Sequence, residues 1–257
     1  MDGTGRRLHS RWTRRSAAIL AMLIVAGCST RVSTYTPSPS TATDQLPRPT
    51  RVLVADFAID PSSVQQDQGL SLRLQRQFSG ANQDGARNAL ATEVQSAIGD
   101  TLVADLTKAG LPAQRVAAGA SMAPGDLYVT GTVQRIDEGN RTRRVGIGFG
   151  AGKSIVEGTA ELYTITASGL PVLLQRYDGS ADSGHMPGMA VGAASAVSQS
   201  SAVTGVISGV SNVGGEVRRS PVGKEAARLG SRLATDISQY AAKRGWIPEA
   251  SVPRWTR

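Results

Sequence analysis

The 257-residue chain has one cysteine, Cys28, and two histidines, His9 and His185. A single thiol excludes an intramolecular disulfide, a thiol redox pair and a cysteine-based zinc cluster. Aromatic residues make up only 4% of the chain, so the core is expected to be aliphatic, built from Val, Leu, Ile and Ala. The apolar run Ala17–Val25 is about nine residues long, too short for a helix that crosses a bilayer. A Gly-x-Ser-x-Gly nucleophile elbow is absent, which removes the usual seat of a hydrolase serine.

Excess charge is also scarcer than the formal +8 suggests. Arg6, Arg7, Arg11, Arg14 and Arg15 crowd the first fifteen residues with Asp2 as the only acid there, and the remaining chain carries about +4. Without a basic stripe interleaved with aromatics, nucleic acid is not an expected partner.

The N-terminal segment reads as an export signal: an Arg-rich start, the apolar run, then Val25-Ala26-Gly27-Cys28. Those four residues resemble the lipobox of bacterial lipoproteins. The resemblance implies cleavage after residue 27 and acylation of Cys28, the one expected modification site. Several acyl chains on one residue hold a membrane stably, where a single chain does not. Ser29 rather than Asp follows the cysteine, which by analogy with Gram-negative lipoprotein sorting implies the periplasmic face of the outer membrane. Residues 28–50, rich in Pro, Ser and Thr, are expected as the acylated Cys and a disordered linker, with a reach on the order of 25 Å.

Residues 51–247 read as one α/β domain and 248–257 as a tail. Val52–Ile59 is a nearly continuous apolar run, as in a strand buried on both faces. Asp84 is placed to cap a helix with Leu90, Val94, Ile98, Leu102 and Leu106 on one stripe, stopped by Gly110 and Pro112. A short strand is expected at 114–118. Alternation over 127–136 and 154–166, followed by a strand at 172–177, predicts an antiparallel meander. Ser220 and Pro221 start a second helix lined by Val222, Ala226, Leu229, Leu233, Ile237 and Tyr240, which Gly245 and Pro248 end. The expected fold is an α/β two-layer sandwich: a mixed sheet of about four to five strands with the meander in its middle, and two long helices on one face.

Three stretches invite chemistry. Gly146-Ile-Gly-Phe-Gly-Ala-Gly-Lys-Ser154 is near a phosphate loop, but Ile147 stands where that motif needs its first glycine, and the chain continues into an alternating strand instead of a helix. It reads as a Gly-rich connection between antiparallel strands. Asp182, Ser183 and His185 cluster without a nucleophile elbow, and Asp137-Glu138 are neighbours at a strand end, so neither makes a hydrolase site. Residues 186–215 are thirty residues without a charge, with Gly188, Gly192, Ala196 and Ser200 at four-residue spacing. They read as a flexible or weakly helical low-complexity insert, with self-association or membrane contact through the small-residue face as the alternatives. No catalytic, cofactor-binding or metal-ligating residue is expected, and no cofactor.

Together the lipobox, Val52-Leu-Val-Ala-Asp-Phe57, Asp126-Leu-Tyr-Val-Thr-Gly-Thr-Val133 and Arg144-Val-Gly-Ile-Gly-Phe-Gly-Ala-Gly152 resemble the bacterial lipoproteins of the domain of unknown function 4410 family. That resemblance implies a location without an activity. More distantly, Asp126–Gly131 followed by a Gly-rich hairpin is similar to the curli secretion channel lipoproteins. Relatives of that kind are assembly or interaction proteins, and several form rings. The expected function is therefore a non-catalytic, periplasm-facing lipoprotein of the cell envelope, with the membrane as partner through Cys28 and a homo-oligomer or envelope protein as a second. The alternative is a small-ligand binder or enzyme with a cleft near residues 141–154.

Overall fold

The computed structural model describes residues 29–37, 46–67, 83–140, 143, 151–184 and 220–254. The strands are β1 (Ser29–Tyr35), β2 (Val52–Ala55), β3 (Ala58–Ile59), β4 (Val64–Gln65), β5 (Ala113–Val116), β6 (Leu127–Asp137), β7 (Ile155–Ile165) and β8 (Pro171–Asp182). The helices are α1 (Gln83–Lys108) and α2 (Pro221–Lys243). The sheet runs β1-β8-β7-β6-β2-β5, with β3 and β4 also paired to β6. Both helices lie on one face, α1 over β2 and β5 and α2 over β8, β7 and β1, and they pack against each other.

The two-layer α/β architecture therefore matches the sequence expectation, but eight strands replace four to five. Two causes account for the difference. The apolar run from Val52 is not one strand: β2, β3 and β4 follow one another along β6, all parallel to it, with Val52 opposite Leu127, Ala58 opposite Thr132 and Val64 opposite Ile136. Asp56-Phe57 and a short 3-10 turn at Pro61–Ser63 interrupt the line. The second cause is β1. Its seven residues were expected to be disordered linker, yet they pair antiparallel with β8 along their whole length. Thr30, Val32 and Thr34 share the helix-facing side with Tyr177, Gly179 and Ala181, and Val32 packs on the core. One apolar residue on a Thr- and Ser-rich edge strand leaves little periodicity to read.

The remaining linker is pinned where it is described. Leu46 accepts a hydrogen bond from the Trp246 indole at 3.1 Å, and Arg48 donates to the Gly110 carbonyl at 2.9 Å. At the other terminus, Glu249–Ser251, expected within a tail, is a 3-10 turn, and Val252 packs on the core.

Helix limits follow the capping chemistry. Asp84 lies in the first turn of α1 rather than before it, beside Arg87. The Ser220 hydroxyl accepts from the Gly223 N–H at 3.0 Å and Pro221 opens α2. Both helices end in the same device: Leu111 N–H reaches Leu106 and Gly110 N–H reaches Thr107, while Trp246 N–H reaches Ala241 and Gly245 N–H reaches Ala242. Gly110 and Gly245 hold the left-handed backbone that this double bond requires, with φ of 93° and 71°. The core between sheet and helices contains Val54, Ile98, Leu102, Leu106, Val129, Ile136, Val156, Leu162, Leu229 and Leu233, each at most 2% exposed.

Candidate functional site

Four strand termini meet at one end of the sheet. Ser29 pairs with Asp182, Asp182 with Ile155, and Ile155 with Asp137. Both the connection from β6 to β7 and the chain beyond β8 leave from this end. Ser29, which follows Cys28 in the sequence, stands at this same end. Cys28 itself is outside the described residues, as are His185 and the insert 186–215.

Asp182 is the centre of this end. One carboxylate oxygen accepts from the Ser29 hydroxyl and from the Lys153 ammonium, each at 2.9 Å, and the other accepts from the Gly184 N–H at 2.8 Å. Burial opposes its charge, but Lys153, the Gly184 N–H and Ser29 outweigh it and hold the carboxyl below the usual range. Ser154 and Ser183 lock the neighbouring rung: the Ser154 N–H donates to the Ser183 hydroxyl at 3.0 Å, and the Ser183 N–H to the Ser154 carbonyl at 3.1 Å. Asp137 accepts from Arg135 and from the Gly139 N–H, while Glu138 accepts from the Asp67 N–H.

The cleft expected near 141–154 is described only at residues 143 and 151–154. There, Lys153 is spent on Asp182 and Ser154 is buried at the start of β7. The Asn140 N–H donates to the Gly152 carbonyl at 3.0 Å, closing the ends of the Gly-rich connection on each other. The Gly-rich connection runs directly into β7, whereas a phosphate loop runs into a helix whose N-terminus receives the phosphate. Among the described residues no cluster of His, Cys, Asp and Glu could hold a metal ion. Likewise no helix among them is long and apolar enough to cross a membrane.

Sequence reasoning named Asp182 only within a rejected hydrolase cluster. It missed Ser29 and Lys153 as its partners, since no spacing rule links residues so far apart in the chain. Only the strand register brings them together.

The sheet face away from the helices is a polar ladder. Arg176 lies 3.7 Å from both Glu161 and Asp178, the Thr159 hydroxyl donates to Asp178 at 2.7 Å, and the Tyr163 phenol donates to Glu161 at 2.8 Å. Acids and bases alternate across it, so it presents no field of one sign. At the other end of β6, Asp126 is fully buried and accepts from Arg51, Thr50 and the Ala123 N–H. Its bond to Arg51, ahead of the opposing effect of burial, keeps its carboxyl below the usual range. This is a structural staple that joins the start of β2 to the loop before β6.

No curated protein matches the sequence. Among solved structures, the chain is similar to a subunit of the PelC dodecamer from Paraburkholderia phytofirmans, at 15% identity over 61% of this chain and 83% of that one, with a TM-score of 0.27. A superposition that loose lends no argument about this chain. A family model, in contrast, matches residues 52–200, more than half of the chain. The match runs from the first residue of β2 to beyond the last of β8 and takes in Asp126 and the Gly-rich connection. By that match the chain belongs to the family described as Domain of unknown function (DUF4410).

Proposed function

We propose that this chain is the precursor of a lipoprotein of the cell envelope, cleaved before Cys28 and held by acyl chains on that residue at the periplasmic face of the outer membrane. There it serves as a non-catalytic interaction or assembly component, alone or as a homo-oligomer. Val25-Ala26-Gly27-Cys28 after a short apolar run supports the processing, and Ser29 supports the outer membrane. The observation that carries the reading is the placement of Ser29. It is already paired with Asp182, and Cys28 is covalently next, with its α-carbon about 3.8 Å away. An anchor there has no tether: the sheet end with Asp182, Lys153, Asp137 and Asn140 lies against the bilayer. A domain fixed in this way presents its helices and its polar ladder sideways, to partners in the same membrane plane.

Metabolic labelling with palmitate tests the processing. The wild-type protein should take up label, lose its first 27 residues and fractionate with membranes, and Cys28→Ser should do none of these. An unlabelled protein with an intact N-terminus would overturn the reading.

A further inference from the structure

Strand β1 is fastened to the molecule at few points. It is an edge strand, paired with β8 alone among the described residues. Of its seven residues only Val32 packs on the core, while Arg31, Ser33, Thr34 and Tyr35 are exposed. Val32 fills a notch left by Gly179, where a β-carbon would lie 3.0 Å from the Val32 Cγ2 and 2.7 Å from the Leu229 Cδ1. One end of the strand is clasped by the Ser29 hydroxyl, which donates to Asp182 at 2.9 Å. The other is clasped by the Gln175 amide, which donates to the Thr36 hydroxyl at 2.9 Å. Apolar burial is the main force that holds an element in place, and here it amounts to one valine.

What lies beneath β1 is complete without it. β8 pairs along its length with β7 and is covered by α2. Asp182 keeps its bonds to Lys153 and the Gly184 N–H whether or not Ser29 is present. The family match begins at Val52, so strands β2 to β8 lie within it and β1 alone does not. Register also shows which groups the two strands share. The Ser183 N–H bonds to the Ser154 carbonyl, and antiparallel alternation then turns the peptide groups of Asp182, Ser180, Asp178 and Arg176 towards β1. Ser29, Arg31, Ser33 and Tyr35 face them.

We propose that β1 is a detachable strap, which leaves β8 as one unit from Ser29 to Thr36 while the rest of the fold persists. The closed form prevails at rest and holds Cys28 next to the sheet end. When the strap opens, the next fixed point is Leu46, whose carbonyl is held by the Trp246 indole. Residues 28–45 then give the domain a reach on the order of 20 Å. The strap thus switches the domain between a seat on the bilayer and a stance away from it. That consequence rests on the lipoprotein reading, whereas the detachment itself does not.

The test is amide hydrogen exchange of the full chain in detergent, resolved to single residues by mass spectrometry. The amides of Arg31, Ser33 and Tyr35 and their β8 partners Asp178 and Ser180 should exchange together, at least about 100-fold faster than Val129 in β6 and Leu162 in β7, because a local opening is far more frequent than global unfolding. Asp182→Ala removes the Ser29 clasp. It should speed the whole set by about tenfold, the equivalent of one charge-assisted hydrogen bond, including Tyr35 at the far end of the strand. Val32→Ala empties the Gly179 notch without touching Lys153. It should act in the same way and keeps the test decisive if Asp182→Ala does not fold. Exchange of β1 at the rate of Val129 overturns the proposal, since the strand then opens only with the whole domain. Acceleration confined to Ser29, Thr30 and Arg31 in Asp182→Ala overturns it too, since that is fraying of an end and not release of a unit. Palmitate uptake, read separately, reports on the anchor and not on the strap.

Discussion

The ring of Phe57 stands where a side chain on Gly131 would have to go: a β-carbon there would lie 2.3 Å from the ring and 2.5 Å from the Thr159 carbonyl oxygen. Phe57 is the residue at which the strand line breaks between β2 and β3, and it is buried. The break and the glycine on the next strand are therefore one feature. In Gly131→Ala the ring can yield, but the carbonyl belongs to a paired strand and cannot move without opening the ladder. Overpacking of this kind should lower stability by about 2–3 kcal/mol, read as a lower urea midpoint at unchanged slope. Phe57→Leu in the same chain should restore only part of the loss. Complete restoration would show that the carbonyl contact does not matter.

Asp126 is the second test, because its buried carboxylate depends on Arg51, Thr50 and the Ala123 N–H. Asp126→Ala should cost about 2–4 kcal/mol. Arg51→Ala should cost less, since the Arg51 side chain is 44% exposed and water can take its place. The folded carboxyl lies below its unfolded value. Its contribution is thus complete above about pH 4 and is lost as the pH falls through the folded value. Urea midpoints of Asp126→Asn should accordingly fall less steeply on acidification than those of the wild type.

At the crossing of the two helices, a β-carbon on Gly230 would lie 2.7 Å from the Ile98 carbonyl oxygen. Two effects of opposite sign compete in Gly230→Ala. Alanine gains roughly 1 kcal/mol of helix propensity over glycine. Against that, the close contact is with backbone, which only a shift of one whole helix can relieve, and overpacking costs about 1–3 kcal/mol. The net change should be destabilising, and Gly230→Val should be worse, with thermal midpoints falling in the order Gly, Ala, Val. A more stable alanine variant would mean that the helices separate freely.

Much of the fold was legible because strong periodicity met clear punctuation. The stripe from Leu90 to Leu106 is buried throughout, and the predicted glycine stops at Gly110 and Gly245 hold their helix ends. Alternation also placed Leu127, Val129 and Val133 on the core side of β6. It failed beyond Val133, because a bulge between Val133 and Arg135 shifts the phase and brings Ile136 to the same side. Strand β1 was illegible for want of apolar residues. The Ser29–Asp182–Lys153 group was illegible for a different reason. It joins residues whose proximity is set by strand register, and polar residues at strand ends carry no sequence period.

The placement of Ser29, next to the proposed anchor, yields the last prediction. β8 has twelve residues, so its two ends are about 36 Å apart along the strand, some 3 Å per residue after twisting. Asn140 lies just beyond β6 at the end shared with Ser29, whereas Ser168 lies in the turn between β7 and β8 at the opposite end. The chain has no cysteine besides Cys28, so with Cys28 acylated as proposed, Asn140→Cys or Ser168→Cys supplies a single site for a label. In membranes carrying a quencher on the lipid headgroups, a fluorophore at position 140 should be strongly quenched and one at 168 hardly at all. With the tether of about 25 Å that a flexible linker of that length allows, the domain would tumble and both positions would be quenched weakly and alike. Equal quenching would therefore separate a tethered domain from one seated on the bilayer by its sheet end, even with the acyl anchor intact.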